Sequence, residues 1–153
     1  MPDGLDNLIA NMRRLSASGR AGVLDDEENA TKLWFNEMGT KTAPARPTIT
    51  VAWEKRNKDV AAKIESATGR AVDAAAAGIN VDGEAIVGGA AADFAEAIVA
   101  QIDSNTPPPL AESTVRGRLS RGNSSTATLV DTGALRAAVR AETKPGADGG
   151  EDA

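Results

Sequence analysis

The residues that could do chemistry are few. Asp25-Asp26-Glu27-Glu28 sets four carboxylates side by side, and clustered oxygens of this kind are what a hard divalent cation takes as ligands. The run lacks the spaced ligands and turn glycine of a calcium loop, so it reads as a solvated acidic turn. Val87 to Ala91 reads VGGAA at the expected start of a helix, where free backbone N–H groups can hold a phosphate. Neither the GxGxxG pattern nor a Gly-Lys-Ser/Thr loop accompanies it, so it reads as a flexible turn beside an alanine-rich helix. Arg116, Arg118 and Arg121 could touch phosphates, but glycine and serine separate them and no aromatic lies among them for base stacking. Trp34 and Trp53 read as core anchors rather than ligand platforms. The chain has neither Cys nor His. That removes thiolate nucleophiles, Cys-based zinc sites, imidazole acid–base catalysis and the Ser-His-Asp triad. No catalytic residue, cofactor site or metal site is expected. A metal-dependent hydrolase using carboxylates alone, drawing on Asp25, Glu27 and Asp131, is the enzymatic alternative.

The frame around these residues is 153 residues long, with a net charge of −5 and 25% charged residues. Hydrophobic residues make up 41%, but 30 residues are alanine and only 3% are aromatic. Such a chain has a thin core and is expected to finish burying its surface against copies of itself. No run of eighteen apolar residues occurs, so no membrane segment is expected. The first residues lack an apolar signal core, which fits a protein made in a cytoplasm. An acidic chain is also a poor sequence-specific DNA binder.

Periodicity places the elements. Leu5, Leu8, Ile9, Met12 and Leu15 recur on one helical face, predicting a helix over 3–16 started by Pro2 or Asp3. Ala21 to Leu24 reads as a short strand leading into the acidic turn. Asn29 to Glu37 has Leu33, Trp34 and Phe35 in succession, which leaves strand and helix open; strand is the reading taken here. Two prolines and a glycine break regular structure between Gly39 and Pro47. A long helix follows, capped by Thr48 or Thr50, carrying Val51, Val60, Ile64, Ala71, Val72 and Ala75, and closed at Gly78. Glu84 to Val87 reads as a possible strand. A second strong helix runs from about Ala90 to Ser104 on Ala91, Phe94, Ala95, Ile98 and Ile102. NTPPP at 105–109 is a hard stop. Leu110 to Leu119 reads as a short helix. Arg116 to Thr128, basic and then Ser/Thr-rich, reads as a mobile loop. Leu129 to Val139 reads as a corner whose short helix is capped by Asp131 or Thr132, with Leu129 and Leu135 inward. The domain is expected over 1–144, followed by a disordered acidic tail over 145–153.

Two segments are over-specified for plain packing. One is NEMGTKTAPARPTI, Asn36 to Ile49. The other is TPPPLAESTVRGRL, followed after the loop by TLVDTGALRAAV. A bidentate pair between Glu37 and Arg46 would pin the first onto the body; the alternative is that each faces solvent or a neighbouring subunit. Together the segments resemble the Mu-like virion morphogenesis family and related head–tail connector proteins of long-tailed phages. The matching positions are Glu37, Gly39 and Thr40, then Pro44, Ala45, Arg46 and Pro47. Pro109, Leu110, Ser113 and Thr114 follow, and then Leu129, Asp131, Thr132, Gly133 and Leu135, in the family's order over about 30–140. Thr48 and Ile49 depart from its large apolar pair after Arg-Pro. Arg116 and Arg118 stand where it usually has Lys.

The resemblance implies an α+β subunit, with a small mostly antiparallel sheet packed against two longer helices. It implies a non-enzymatic virion part that forms a homo-oligomeric ring of six copies at the neck or tail end. The ring's role as tail terminator, tail-completion factor or head-side neck protein stays open, as does a different adaptor module. Expected partners are other copies of the chain and neighbouring neck, portal-side or tail-tube proteins, with genome DNA passing the lumen without specific binding. Glu37, Gly39, Arg46, Pro47, Asp131, Thr132, Gly133 and Leu135 are the expected structural and assembly residues. Arg116, Arg118 and Arg121 form the expected partner-contact loop.

Overall fold

A computed structural model describes residues 4–146. In chain order the elements are α1 (Gly4–Arg14), β1 (Ala17–Val23), α2 (Glu27–Met38), α3 (Ile49–Ala76), α4 (Gly83–Asp103), α5 (Glu112–Ser120), α6 (Ala134–Ala138) and β2 (Val139–Pro145). The fold is α+β: six helices and a two-stranded antiparallel sheet, β1 beside β2. The expected start of the first helix at Pro2 or Asp3 lies outside the described residues, as does the acidic tail beyond Gly146.

The chain forms two compact units, and the division falls within α3, α4 and both strands. The first comprises residues up to Arg20, Asn57–Asp93 and the chain from Ala141. Its interior is built from small residues. Ala75, Ile86, Ala90 and Ala91 are buried. Gly83 lies against the backbone of Leu15, where an added Cβ would collide with the carbonyl oxygen. Ion pairs of Arg20 with Glu142 and of Lys63 with Asp93 lie on its surface.

The second unit comprises Ala21–Arg56 and Phe94–Arg140. Its core joins Leu33, Ala52, Ile98, Ile102, Leu129 and Leu135. Ile98 and Ile102 are fully buried, so the stripe expected on the second strong helix does face inward. Trp53 meets Phe94 edge to face, with ring centroids 5.3 Å apart, a favoured aromatic geometry. α2 packs against α6.

Two expected elements differ, and one element is new. The expected strand over Asn29 to Glu37 is a helix, α2. Asp26 caps it, accepting from the Asn29 N–H at 3.0 Å, and Glu27 and Glu28 occupy its first turn. Carboxylates there complement the positive end of the helix dipole. The acidic run is therefore a helix start rather than a solvated turn. Glu84 to Val87 is also helical, because Asp82 accepts from the Glu84 N–H at 2.9 Å and starts α4 about two turns early. VGGAA consequently lies inside α4, away from its free N–H groups. The new element is β2, which the sequence reading did not include.

The closure of α3 agrees with expectation. Gly78 adopts a positive φ of 79°, and the Ile79 N–H returns to the Ala74 carbonyl at 2.9 Å, a glycine-terminated helix end. By length and composition alone α4 is long and apolar enough to cross a membrane, with a mean hydropathy of 1.4 over its apolar window, although it is not an uninterrupted apolar run. Asp93 and Glu96 stand near its centre, and it buries Ile98 and Ile102 in the second unit, as a helix packing on its own chain does.

Candidate functional site

The segments singled out in the sequence all belong to the second unit. Gly39 ends α2 with φ 73°, and its N–H donates to the Phe35 carbonyl at 2.8 Å. A Cβ at Gly39 would stand 2.8 Å from the Ala45 nitrogen, so conformation and space both require glycine. The chain turns back there, with the Thr40 N–H donating to the Ala43 carbonyl and the Thr40 hydroxyl accepting from the Ala43 N–H. This brings Arg46 beside α2, where its N–H donates to the Asn36 carbonyl at 2.6 Å.

Glu37 and Arg46 do not pair with each other in the hydrogen bonds and ion pairs that define their environment. Glu37 reaches forward to the start of α3. Its carboxylate accepts from the N–H groups of Thr48 at 2.7 Å, Ile49 at 3.0 Å and Thr50 at 2.9 Å, and from the Thr50 hydroxyl. It thus caps a helix from another element, the role expected of Thr48 or Thr50 themselves. The Thr48 hydroxyl instead donates to the Arg46 carbonyl at 3.2 Å. Burial pushes the Glu37 carboxyl upward, but hydrogen bonds from the Thr50 side chain and the three backbone N–H groups outweigh it. The net position is below the usual carboxylate value.

Arg46 is 7% exposed and turns the other way. Its guanidinium donates to the Pro108 carbonyl at 2.8 Å and the Pro109 carbonyl at 3.1 Å. Three consecutive prolines offer carbonyls without competing N–H donors, so a buried Arg finds acceptors there. The half-buried Pro47 carries the chain from Arg46 to Thr48. Asn105 then links the proline segment onward, accepting from the Thr128 N–H at 2.9 Å.

Arg118 organises the remaining segment. It sits in α5 with its side chain 7% exposed. One guanidinium nitrogen donates to the carbonyls of Ala127 at 2.7 Å, Ser125 at 3.2 Å and Val130 at 3.3 Å. Its Nε lies 3.3 Å from Asp131. The expected mobile loop is therefore a helix followed by a segment wrapped around an internal cation. A basic, serine-rich sequence looks solvated because backbone carbonyls, which are invisible in composition, supply the partners. Arg118 is not a surface contact. Arg121 reaches the same Asp131 at 3.4 Å, Arg116 lies 3.8 Å from Glu112, and both are exposed.

Asp131 does not cap α6. Its carboxylate serves Arg118, Arg121 and the Asn123 amide. The N-cap position belongs to Gly133, at φ 83° and without a side-chain cap bond, while the Thr132 hydroxyl accepts weakly from the Ala134 N–H at 3.4 Å. Leu129 and Leu135 are buried as expected. Trp34 is 61% exposed and Trp53 46%, so Trp34 in particular is no core anchor.

Sequence reasoning missed one surface. Val23, Leu24, Leu33, Trp34, Met38 and Ile49 line an apolar groove of about 480 Å³. Adjacent apolar residues at 33–35 were the available signal: once the segment is a helix, Leu33 points inward and Trp34 and Phe35 must face out. Among the described residues, no group of three or more acidic side chains is arranged to hold a metal ion. Asp25 pairs with Arg140 at 3.2 Å and Asp26 is committed to its helix cap.

No protein-family model, curated protein or solved structure matches this chain.

Proposed function

We infer that this chain is a structural, non-enzymatic subunit of the head–tail interface of a long-tailed phage. It would assemble as a ring, six copies strong, and join the tail to the DNA-filled head. The observation that supports this reading is the way the resemblance-bearing segments are joined. Glu37 ties α2 to the start of α3, Arg46 ties the PARP segment to the triple proline, and Arg118 ties α5 to Leu129–Leu135. The charges at these positions go to backbone groups or to one another. A subunit that must hold one shape within a ring needs this bracing, whereas a catalytic group needs a partner left open for substrate.

Arg116 and Arg121 are the exposed members of the basic segment and would contact a neighbouring ring or tube. In an assembly reaction, particles lacking this protein are expected to accumulate as separate filled heads and finished tails, and added purified protein restores joining. Normal joining in its absence would overturn the reading.

A further inference from the structure

The first helix is docked with its polar side inward. Among α1's residues only Asn11 is buried; its amide donates to the Ile79 carbonyl at 3.4 Å, and Arg14 on the same side bonds Asn80. The apolar stripe faces out, with Leu5 65%, Ile9 42% and Met12 45% exposed. An amphipathic helix ordinarily turns that stripe to the core, so here it awaits another surface. The α2 groove is such a surface. It is apolar along its walls, and Trp34 and Met38 on its rim are each 61% exposed.

We propose that the apolar face of α1 in one copy seats in the α2 groove of a second copy. Two features favour this occupant. The described part of α1, 11 residues or about 16 Å, fits along the 12 residues, about 18 Å, of α2. Their ends are also complementary. α1 carries an exposed Arg13 in its last turn, while Glu27 stands exposed in the first turn of α2, between the groove residues Leu24 and Ala30 in the chain. α1 therefore lies antiparallel to α2, basic end over acidic end, which also opposes the two helix dipoles favourably. The contact uses different patches on the two copies, so it is heterologous and propagates from copy to copy. Helix-in-groove docking is a common mode of such recognition. The contact stands on these two surfaces alone, and the ring reading adds only its closure.

The test uses two double variants. Leu5→Asp with Ile9→Asp removes the face and keeps the groove. Trp34→Asp with Met38→Asp removes the groove and keeps the face. Each alone is expected to sediment as a monomer at concentrations where the unaltered protein associates, with self-affinity weakened on the order of a hundredfold. Mixed, they should form a one-to-one dimer and stop, because one competent interface remains. Ala10→Asp, on the polar side of α1, should associate normally. Because the chain has no cysteine, a Leu5→Cys chain mixed with a Met38→Cys chain, the two positions that the antiparallel register places opposite each other, should also form the mixed disulfide dimer under mild oxidation. No dimer in either mixture, or a cross-link within one chain carrying both cysteines and none between chains, overturns the proposal. Rings that persist in both double variants also overturn it and leave the ring reading standing. A protein that joins heads to tails yet stays monomeric at about 1 mM does the same.

Discussion

The two units of this molecule are held by opposite means. The first is closed by what its residues lack. Glycines and alanines let backbone approach backbone, as where Gly83 meets Leu15. The second is closed by what three side chains reach. Glu37, Arg46 and Arg118 carry charge to backbone groups on other segments. The contrast teaches where damage should come from. Adding atoms should harm the first unit and removing them should harm the second.

The largest effect is expected at Arg118. Arg118→Ala removes the shared donor of the Ser125, Ala127 and Val130 carbonyls and one partner of Asp131, which keeps Arg121 and the Asn123 amide. Loss of a buried charged partner costs on the order of 3 kcal/mol. Chemical denaturation should show this loss, and hydrogen exchange should show residues 121–131 opening first. Protection unchanged in that segment would break the account of the second unit.

Gly83→Ala tests the opposite half. The new methyl group meets backbone rather than a flexible side-chain end, so a shift of the chain is unavoidable. Overpacking of this kind costs about 1–3 kcal/mol. A fully stable variant would show that the close approach at Leu15 is not a constraint.

Glu37→Gln should have a smaller, pH-dependent effect. The folded carboxyl titrates below its unfolded value, so the stability it contributes is fully present above the ordinary carboxylate range, near pH 4.3. That contribution is lost as the pH falls through the folded value. At neutral pH the variant should be about 1 kcal/mol less stable, as for loss of a helix cap. The two proteins should converge in acid. A gap that stays constant from pH 7 to about pH 2.5 would contradict the cap.

The smallest effect on stability belongs to the exposed arginines. Replacing Arg116 and Arg121 together by Ala should change stability by less than about 1 kcal/mol, the usual worth of surface pairs, while weakening head–tail joining. The unaltered protein should show no measurable affinity for duplex DNA at about 0.15 M salt. Tight, salt-sensitive DNA binding that this double change removes, with joining unaffected, would turn the reading of these residues around.

Much of the helical frame was legible in the sequence, because periodic stripes survive in α1, α3 and the later part of α4. The misreadings share a physical cause. Leu33-Trp34-Phe35 has no period of its own, and the decisive signal for α2 was a capping aspartate followed by an acidic first turn. α4 starts early for the same reason, at Asp82. α1 shows that a correctly read stripe does not say which way it faces. At the candidate site the important residues were identified but their partners were not. Glu37 and Arg46 read in the sequence as a pair or as facing solvent or a neighbouring subunit, yet each binds backbone, and backbone donors and acceptors carry no signature in residue type. Arg118 was hidden among two exposed arginines of similar surroundings.

The most direct measurement is a density map of the assembled particle with this chain traced in it. The account predicts a closed ring at the head–tail junction, built from six copies, with the Glu37, Arg46 and Arg118 bracing intact inside every subunit. A single copy or a dimer at that position, or a particle in which the chain is absent from the junction, would contradict it.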